Sequence, residues 1–218
     1  MELTISKEDY LKAIAEAESE EGPVIAATLA RWLKVSPPAV ALALRRLKRD
    51  RWVTTDGEGR IRLTPAGRAI ANHLRRRHHL VERMLHEMLG VEWYRVHEEA
   101  ERLEHAISER VEKRLIERLG ADGACPHGNL INKSPAQRRR MGLHMLSEAP
   151  EGEALRVAGM HERDAGLLEY FHKLGIQPGA ELHVLRRNYD GTLNLKLAGG
   201  TATLGEGAAR KLWVARAE

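Results

Sequence analysis

Two histidines and two glutamates recur at helical spacing between residues 97 and 105. They are His97, Glu101, Glu104 and His105. Because residues three and four apart share one face of an α-helix, these side chains form a stripe that also includes Ser108. On the preceding predicted helix, His78 and Glu82 are four residues apart. Two such helices packed antiparallel could present imidazoles and carboxylates to one cation, and mixed nitrogen and oxygen donors suit a borderline or hard divalent metal.

Nearby arginines leave a second interpretation of these residues open. Arg83 and Arg102 are close enough in sequence to pair with the acids, so both helices could simply carry solvated, salt-bridged faces. That interpretation is the better one for His78 and Glu82 taken alone. Two histidines and two acids on one stripe have no obvious structural need, so the two helices together favour a metal site.

A further pair of possible ligands lies in a segment rich in glycine and proline. Cys125 and His127 stand two residues apart in the sequence Cys-Pro-His-Gly-Asn, and a thiol and an imidazole in such a turn can chelate one ion. A buried structural cysteine is the usual explanation of a lone thiol. A nucleophilic Cys-His pair is a further alternative, but no oxyanion-hole or orienting residue can be identified for it. Since Cys125 is the single cysteine, an intrachain disulfide is excluded.

The elements that would precede these residues form a small helical domain. Apolar periodicity predicts helices near 7–20, 25–33 and 37–50, with Ser6 as a cap and Glu21-Gly22-Pro23 as a break. A short turn, 34–36, joins the second helix to the third, which opens on Pro37 and Pro38. Two helices joined by such a turn, the second of them basic, are the helix-turn-helix pattern. The β-prone runs 52–55 and 60–63 flank a glycine-bearing turn and complete a winged helix.

The charge distribution favours a nucleic-acid partner. The chain of 218 residues has a net charge of +4, and the excess is concentrated in two runs. These are Arg45, Arg46, Lys48, Arg49 and Arg51, and then Arg75, Arg76 and Arg77. Clustered basic residues fit phosphate binding, although a basic run alone is more often a solvated helix face. Phe, Trp and Tyr together make up only 4% of the residues, which argues against stacking on unpaired bases as a main activity.

The rest of the chain predicts two long helices and a small β-barrel. Thr64-Pro65 would cap a helix that ends at Gly90, and a second helical stretch would run over 94–119 and end at Gly120. The connector 121–150 includes one short helix near 137–145. Short strands at 182–185, 193–197, 202–204 and 212–214 accompany a helix at 164–174, which is typical of a barrel.

The resulting fold class is α+β with three domains. They are a winged helix-turn-helix DNA-binding domain (1–72), a helical metal-binding domain with a connector (73–150), and a small C-terminal β-barrel (151–218). No stretch is apolar enough to span a bilayer and the N-terminus is unlike a signal peptide, so a cytoplasmic location is expected.

These residues resemble the diphtheria toxin repressor and manganese repressor family of metalloregulators. The resemblance covers the whole chain. It implies that the helical domain (73–150) is also the dimerisation domain, and the C-terminal part resembles the SH3-like domain (FeoA-like) of the longer members. The matching segments are EDYL (8–11), RLKRD (46–50), LTPAG (63–67), RHHLVER (77–83), VHEEAERLEH (96–105) and CPHGN (125–129).

The resemblance implies a homodimer that binds a palindromic operator when divalent metal is present, usually repressing metal-uptake genes. It places one metal site at Asp9, His78, Glu101, Glu104 and His105. It places a second, ancillary site at Glu82, Cys125 and His127, or at His78, Glu82 and His97, depending on the branch of the family. The C-terminal domain would add an acidic ligand near His161, Glu162 or Asp164, and we expect Glu162.

Two departures from the family pattern bear on the choice of metal. At the positions that correspond to Asp9 and Glu101, iron-type members of the family carry a methionine and a cysteine. Carboxylates in place of soft sulfur ligands favour Mn²⁺ over Fe²⁺, with Fe²⁺ as the alternative and other divalent transition metals expected to bind in vitro. Manganese-type members often carry another glutamate where this chain has Lys12, which argues against a two-metal cluster of that kind.

The predicted recognition helix favours sparse direct readout of DNA bases. Leu42 stands where some relatives carry a glutamine that touches bases, which leaves Ser36, Pro38 and Ala39 for base contacts and thymine methyls. DNA shape would then supply part of the specificity. The residues expected to contact the phosphate backbone are Arg45, Arg46 and Arg49 of the helix and Arg60 of the wing.

We therefore predict that metal ties Asp9 to ligands on the two long helices and fixes the winged helices for operator binding. A hydrolase with a metal-bound water is a competing class, but the chain has no His-Glu-x-x-His and no separate base. A DNA-binding protein with a purely structural acidic cluster is a third class. Metal titration separates the three.

Overall fold

The computed structural model describes residues 4–19, 23–121, 123–131 and 133–217. Glu21 and Gly22 of the predicted helix break lie outside the described residues. The chain divides into two compact units, the first within Met1–His78 and Asn132–Pro135, the second within His79–Ile131 and Ala136–Glu218. Within the described ranges, no helix combines the length and the apolar character needed to cross a membrane.

The first unit is a winged helix. Its elements are α1 (Ile5–Glu18), α2 (Ala26–Trp32), α3 (Pro37–Arg49), β1 (Val53–Thr55), β2 (Ile61–Leu63) and the first part of α4 (Pro65–Arg83). β1 and β2 pair antiparallel, with Val53 opposite Leu63. A core of fully buried side chains on α1, α2 and α3, including Leu11, Leu29 and Leu47, holds the three helices together. The predicted helix-turn-helix and wing are therefore confirmed.

Local contacts explain where these helices begin. The Ser36 side chain accepts a hydrogen bond from Ala39 N and caps α3, while Thr64 Oγ1 accepts one from Gly67 N at 3.1 Å and caps α4. A Cβ on Gly67 would stand 2.0 Å from Trp52 O, so only glycine lets α4 lie this close to the end of α3. The predicted cap at Ser6 is wrong, because α1 begins at Ile5 and Ser6 therefore lies inside the helix.

The second unit carries the helices that follow. α4 passes into a π-helical turn, Met84–Met88, and the segment ends near Gly90, whose φ is +71°. The single helix predicted over 94–119 is wrong. The chain instead forms α5 (Val96–Leu103) and α6 (Glu109–Leu119), and Ser108 caps α6 by accepting from Val111 N. A cap supplies the hydrogen bond that a continuous helix would have given that N–H.

The C-terminal part of the second unit is a six-stranded antiparallel sheet in the order β3-β8-β4-β5-β6-β7. Its elements, after α7 (Pro135–Arg140), are β3 (His144–Met145), a 3₁₀ turn (Leu146–Glu148), β4 (Ala154–Met160), α8 (Ala165–Lys173), β5 (Glu181–Arg187), β6 (Leu193–Leu197), β7 (Gly200–Leu204), α9 (Glu206–Ala209) and β8 (Leu212–Arg216). The predicted strands are confirmed, whereas β3, β4 and α9 were not predicted, and α7 ends at Arg140 instead of near 145.

One core joins the helical and the β part of this unit. Trp93, between the π-helical turn and α5, is buried in the cluster that contains Leu155 and Val157 of β4, Phe171 of α8 and Val214 of β8. Tyr94 stacks on His172 with ring centroids 4.3 Å apart. This packing brings the end of β4 close to α4 and α5, where the candidate ligands lie.

Candidate metal centre and DNA-binding surface

Five of the predicted ligands converge inside the second unit. Glu82 comes from α4, His97 from α5, Cys125 and His127 from the loop after α6, and Glu162 from the loop after β4. Glu82 and His127 are completely buried, and Cys125 and His97 are nearly so. Residues distant in sequence thus contribute to one polar cluster in a protein interior.

Glu82 is the centre of this cluster. Its Oε1 lies 3.2 Å from His97 Nδ1 and 3.4 Å from His127 Nδ1. Glu162 Oε2 lies 3.7 Å from His127 Nδ1 and 3.6 Å from Cys125 Sγ. These separations are short enough for one ion to bind several of the side chains after small adjustments of rotamers.

His79 is a cluster member that the sequence analysis missed. One donor atom each from His79, Glu82, Cys125 and Glu162 lie within 4.8 Å of one another. Its position three residues before Glu82, on the same face of α4, was the available signal.

A tight turn sets the positions of Cys125 and His127. Gly128 N donates to Cys125 O, and Cys125 N donates to Asn129 O, which closes the turn. Met160 N donates to His127 O at 3.1 Å and ties the turn to the end of β4. Gly128 has φ +79°, and a Cβ there would lie 2.3 Å from Ala158 O. The CPHGN glycine therefore allows both the turn and its close approach to β4.

The electrostatics of the cluster favour a cation. Burial raises the pKa of the Cys125 thiol well above its usual value, and the carboxylates of Glu82 and Glu162 raise it further. Burial and the Glu82 carboxylate also act to raise the pKa of Glu162. The net pKa of this carboxyl is nevertheless lowered to about 2, and the side chains that lower it include His79, His97 and His127. A buried and a half-buried carboxylate, imidazoles and a thiol are the donors that borderline divalent metals take, so the residues fit such an ion.

The other predicted ligands of the second unit lie around the end of α5. Glu101 is on the helix, with Oε1 3.6 Å from His97 Nε2 and 3.8 Å from Arg163 Nη1. Glu104 is the buried residue that follows α5, and its Oε1 is 3.4 Å from His105 Nε2. The four-residue stripe predicted on one helix is therefore wrong in part, because Glu104 and His105 belong to the turn before Ser108.

Asp9 and His78 belong to the first unit. Asp9 is half-buried on α1, and His78 is buried on α4. Lys12 of α1 is only 3% exposed, and its Nζ lies 3.4 Å from His78 Nδ1. That these two residues share a metal ion with Glu101, Glu104 and His105 stays a prediction.

Most of the predicted DNA contacts lie on the exposed side of α3. The exposed residues there include Ser36, Pro38, Ala39, Leu42, Arg45, Arg46 and Arg49. Leu42 is 42% exposed, which leaves an apolar side chain amid the arginines. Two of the predicted arginines pair with acids: the guanidinium of Arg60 lies 2.7 Å from Asp56 and 2.8 Å from Glu58 within the wing, and Arg49 Nε lies 3.2 Å from Asp50 Oδ1.

Three family models match successive parts of the chain. The N-terminal DNA-binding domain of iron-dependent repressors matches residues 2–60, and their metal-binding and dimerisation domain matches residues 64–133. The FeoA domain matches residues 144–216. These matches follow the order of the winged helix, the ligand-bearing helices and the six-stranded sheet.

Named relatives match most of the chain. The iron-dependent repressor IdeR of Mycobacterium tuberculosis is 38% identical over 196 residues, covering 84% of this chain and 85% of its own. The diphtheria toxin repressor of Corynebacterium jeikeium is 30% identical over 202 residues, covering 82% and 84%. The likeness therefore extends beyond any single domain.

Solved structures show the same fold throughout. A manganese-dependent transcriptional repressor in complex with manganese superposes with a TM-score of 0.84 at 32% identity, covering 97% of this chain and 100% of that one. The manganese regulator SloR gives 0.82 at 27% identity, covering 99% and 100%.

These relatives are DNA-binding repressors that respond to metal, and they are not enzymes. The hydrolase alternative is thereby excluded. With its DNA-binding, metal-binding and dimerisation, and FeoA domains in the family order, the chain belongs to the diphtheria toxin repressor family of metal-dependent transcriptional repressors.

Proposed function

We propose that this protein is a Mn²⁺-responsive repressor that binds a palindromic operator as a dimer and restrains metal-uptake genes. The observation that carries the choice of metal is the donor set at the primary site. Its proposed ligands supply oxygen and nitrogen only, and they are Asp9, His78, Glu101, Glu104 and His105. Such donors suit Mn²⁺, whereas sulfur ligands in their place would suit softer ions.

The primary site would act as a clamp between the two units. Asp9 and His78 belong to the unit that contains α3, and Glu101, Glu104 and His105 belong to the other. A bound divalent ion supplies the positive charge that draws these carboxylates together. Ligands from both units would then hold the winged helix in the orientation that DNA binding needs, so metal shifts the protein toward its binding-competent conformation.

We assign a second, ancillary site to Glu82, Cys125, His127 and Glu162. The separations of His127 from Glu82, of His127 from Glu162 and of Cys125 from Glu162 are 3.4–3.7 Å, and all four residues except the half-buried Glu162 are buried, which supports this set. His97 faces Glu82 with Nδ1 and Glu101 with Nε2, so it would either join the ancillary site or connect the two carboxylates. Since a thiolate binds metal and a thiol does not, binding there would release the Cys125 proton.

The DNA-binding surface would be the exposed side of α3. Arg45, Arg46 and Arg49 would contact phosphates, and Ser36, Pro38 and Ala39 would approach base edges in the major groove. Ser36 also caps α3, so its main role would be to orient the first turn of that helix toward DNA, and reading a base would be secondary. Arg60 would have to leave Asp56 or Glu58 to reach a phosphate.

An Fe²⁺-responsive repressor is the second candidate. IdeR, which is 38% identical to this chain, is named as iron-dependent. The soft Cys125 donor in the ancillary cluster also suits Fe²⁺ better than Mn²⁺. The two candidates share one fold and one DNA surface, so only the response to each metal separates them.

Operator binding under anaerobic conditions tests the proposal. The probe is a duplex selected from random-sequence DNA by the Mn²⁺-loaded protein, and its anisotropy is followed with Mn²⁺, Fe²⁺ or chelator. We expect tight binding at lower free Mn²⁺ than free Fe²⁺, and loss with chelator. Glu104→Ala should abolish the metal response, whereas Glu99→Gln, an acid on α5 paired with Arg102, should keep it.

Exchange of ligands tests the metal preference directly. The double substitution Asp9→Met and Glu101→Cys should move the preference toward Fe²⁺, because it restores soft sulfur donors. Binding that is unaffected by any metal would sink the proposal as a whole. An unchanged order of metals in the double variant would overturn the argument from donor type.

A further inference from the structure

Arg138 is a buried arginine that neither the metal clamp nor the DNA surface uses. It lies on α7, is only 7% exposed, and its guanidinium carbon lies 5.3 Å from the ring centroid of Trp213 on β8. Its Nη1 donates to Asn129 Oδ1 at 3.1 Å. Removing a guanidinium from water costs free energy unless it is hydrogen-bonded, so we expect the contacts of Arg138 to have a structural or functional role.

The contact with Arg138 decides which way the Asn129 amide points. A guanidinium has only donors, so it must face the amide oxygen. The amide nitrogen is then directed at acceptors, and Asn129 Nδ2 donates to Met160 O at 2.8 Å and to Glu162 Oε2 at 2.6 Å. The reversed amide would set its nitrogen against the guanidinium and its oxygen against the Glu162 carboxylate.

Glu162 is the one ancillary ligand that needs such support. It comes from a loop after β4, whereas Glu82 is fixed on a helix and His127 is tied to Met160 through its backbone. The carboxylate oxygen that accepts from Asn129 is the same Oε2 that lies 3.6 Å from Cys125 Sγ and 3.7 Å from His127 Nδ1. The amide therefore holds this oxygen against the other two donors.

We infer that Asn129 and Arg138 are positioning residues of the ancillary metal site. Arg138, held over Trp213, orients the Asn129 amide, and the amide holds the Glu162 carboxylate toward Cys125 and His127. This role rests on the proposed ancillary site. Residues that orient metal ligands commonly govern metal affinity by about 10–100-fold.

The test compares Arg138→Met with Arg139→Met in the full chain. Arg139 is a matched control, because it also lies over Trp213, at 5.8 Å, but pairs with Glu148 and not with Asn129. Mn²⁺ affinity is measured by competition with a fluorescent chelator. We expect Arg138→Met to weaken the ancillary site by about 10–100-fold and Arg139→Met to leave it within about twofold of wild type.

A spectroscopic readout separates positioning from general stability. With Co²⁺ as the probe, a thiolate-to-metal charge-transfer band reports coordination by Cys125. Arg138→Met should alter this band at saturating Co²⁺, and Arg138→Lys, which keeps a cation and a donor for Asn129, should recover part of the affinity. If Arg138→Met fails to fold, Asn129→Ala makes the same test while leaving the contact with Trp213.

The outcomes distinguish this inference from the proposed function. If wild type lacks the band, or if Cys125→Ser keeps it, the ancillary site itself is refuted. If wild type shows the band and folded Arg138→Met or Asn129→Ala matches it in both affinity and spectrum, the positioning role is refuted.

Discussion

Substitution of Gly128 by alanine should separate the cost of a close backbone approach from the cost of an unusual φ. Gly128 and Gly152 have nearly the same φ, +79° and +78°. A Cβ on Gly152 meets nothing within 4 Å, whereas one on Gly128 would lie 2.3 Å from Ala158 O and 2.9 Å from Gly159 Cα. Gly152→Ala is therefore a matched control for the backbone conformation.

The expected magnitudes follow from these two surroundings. Alanine in the left-handed region costs roughly 1–2 kcal/mol, which both variants share. Gly128→Ala must also move the turn away from β4 by about 1 Å to reach ordinary contact distance. Overpacking of this kind adds about 1–3 kcal/mol, so we expect a total loss of about 2–5 kcal/mol in the free energy of unfolding.

Calorimetry and metal titration measure the two consequences. The extra cost in Gly128→Ala corresponds to a melting temperature about 2–12 °C below that of Gly152→Ala. Moving the turn also strains the hydrogen bond from Met160 N to His127 O and separates His127 from Glu162, so Mn²⁺ affinity at the ancillary site should fall by about tenfold or more. Equal melting temperatures and equal affinities for the two variants would refute the close-approach argument.

Three further expectations concern the first unit. Arg46→Ala should weaken operator binding for all sequences and reduce the slope of log affinity against log salt by about 1, whereas Arg118→Ala on α6 should leave that slope unchanged. Lys12→Met removes an ammonium beside His78, so Mn²⁺ affinity at the primary site should rise by about tenfold or more in calorimetric titration; an unchanged affinity would show that the ammonium does not oppose the metal. Hydrogen bonds from Lys7 and Arg49 hold the pKa of Asp50 below its usual value. The contribution of Asp50 to the free energy of unfolding is therefore complete above the pKa of the unfolded chain, and it is lost as the pH falls through the lower pKa of the folded protein. Melting curves of Asp50→Asn should therefore lose part of the acid sensitivity of wild type below about pH 4, and parallel curves would contradict this.

The sequence predicted the winged helix and most strands because local signals there agree with the tertiary structure. Pro37 and Pro38 after Ser36 mark the start of α3, and glycines bound the strands of the sheet. The helix over 94–119 failed because no proline or glycine marks its break, and only the cap at Ser108 reveals it. Strand β4 was missed although its buried residues largely alternate, since Gly159 and Met160 blur the pattern.

The candidate ligands were predictable to different degrees. Helical spacing pointed to His97 and Glu101, and the short turn pointed to Cys125 and His127. Glu162 entered only through the family resemblance, because nothing in the local sequence links it to residues some eighty positions earlier. Asn129 lies in the matching CPHGN segment, but nothing in the sequence predicts a role for it or for Arg138, since their roles depend on α7 packing beside the loop after α6.

The burial of Trp93 has a consequence for the evolution of the chain. This residue lies before α5, yet its ring belongs to the same core as β4 and β8. The FeoA part therefore could not be lost without compensating substitutions elsewhere in the chain. A descendant that dropped it would leave a large aromatic face uncovered and would lose Glu162 at once. Shortening the protein would require a smaller residue at position 93 and a new source for that carboxylate, so its length and its metal chemistry are constrained together.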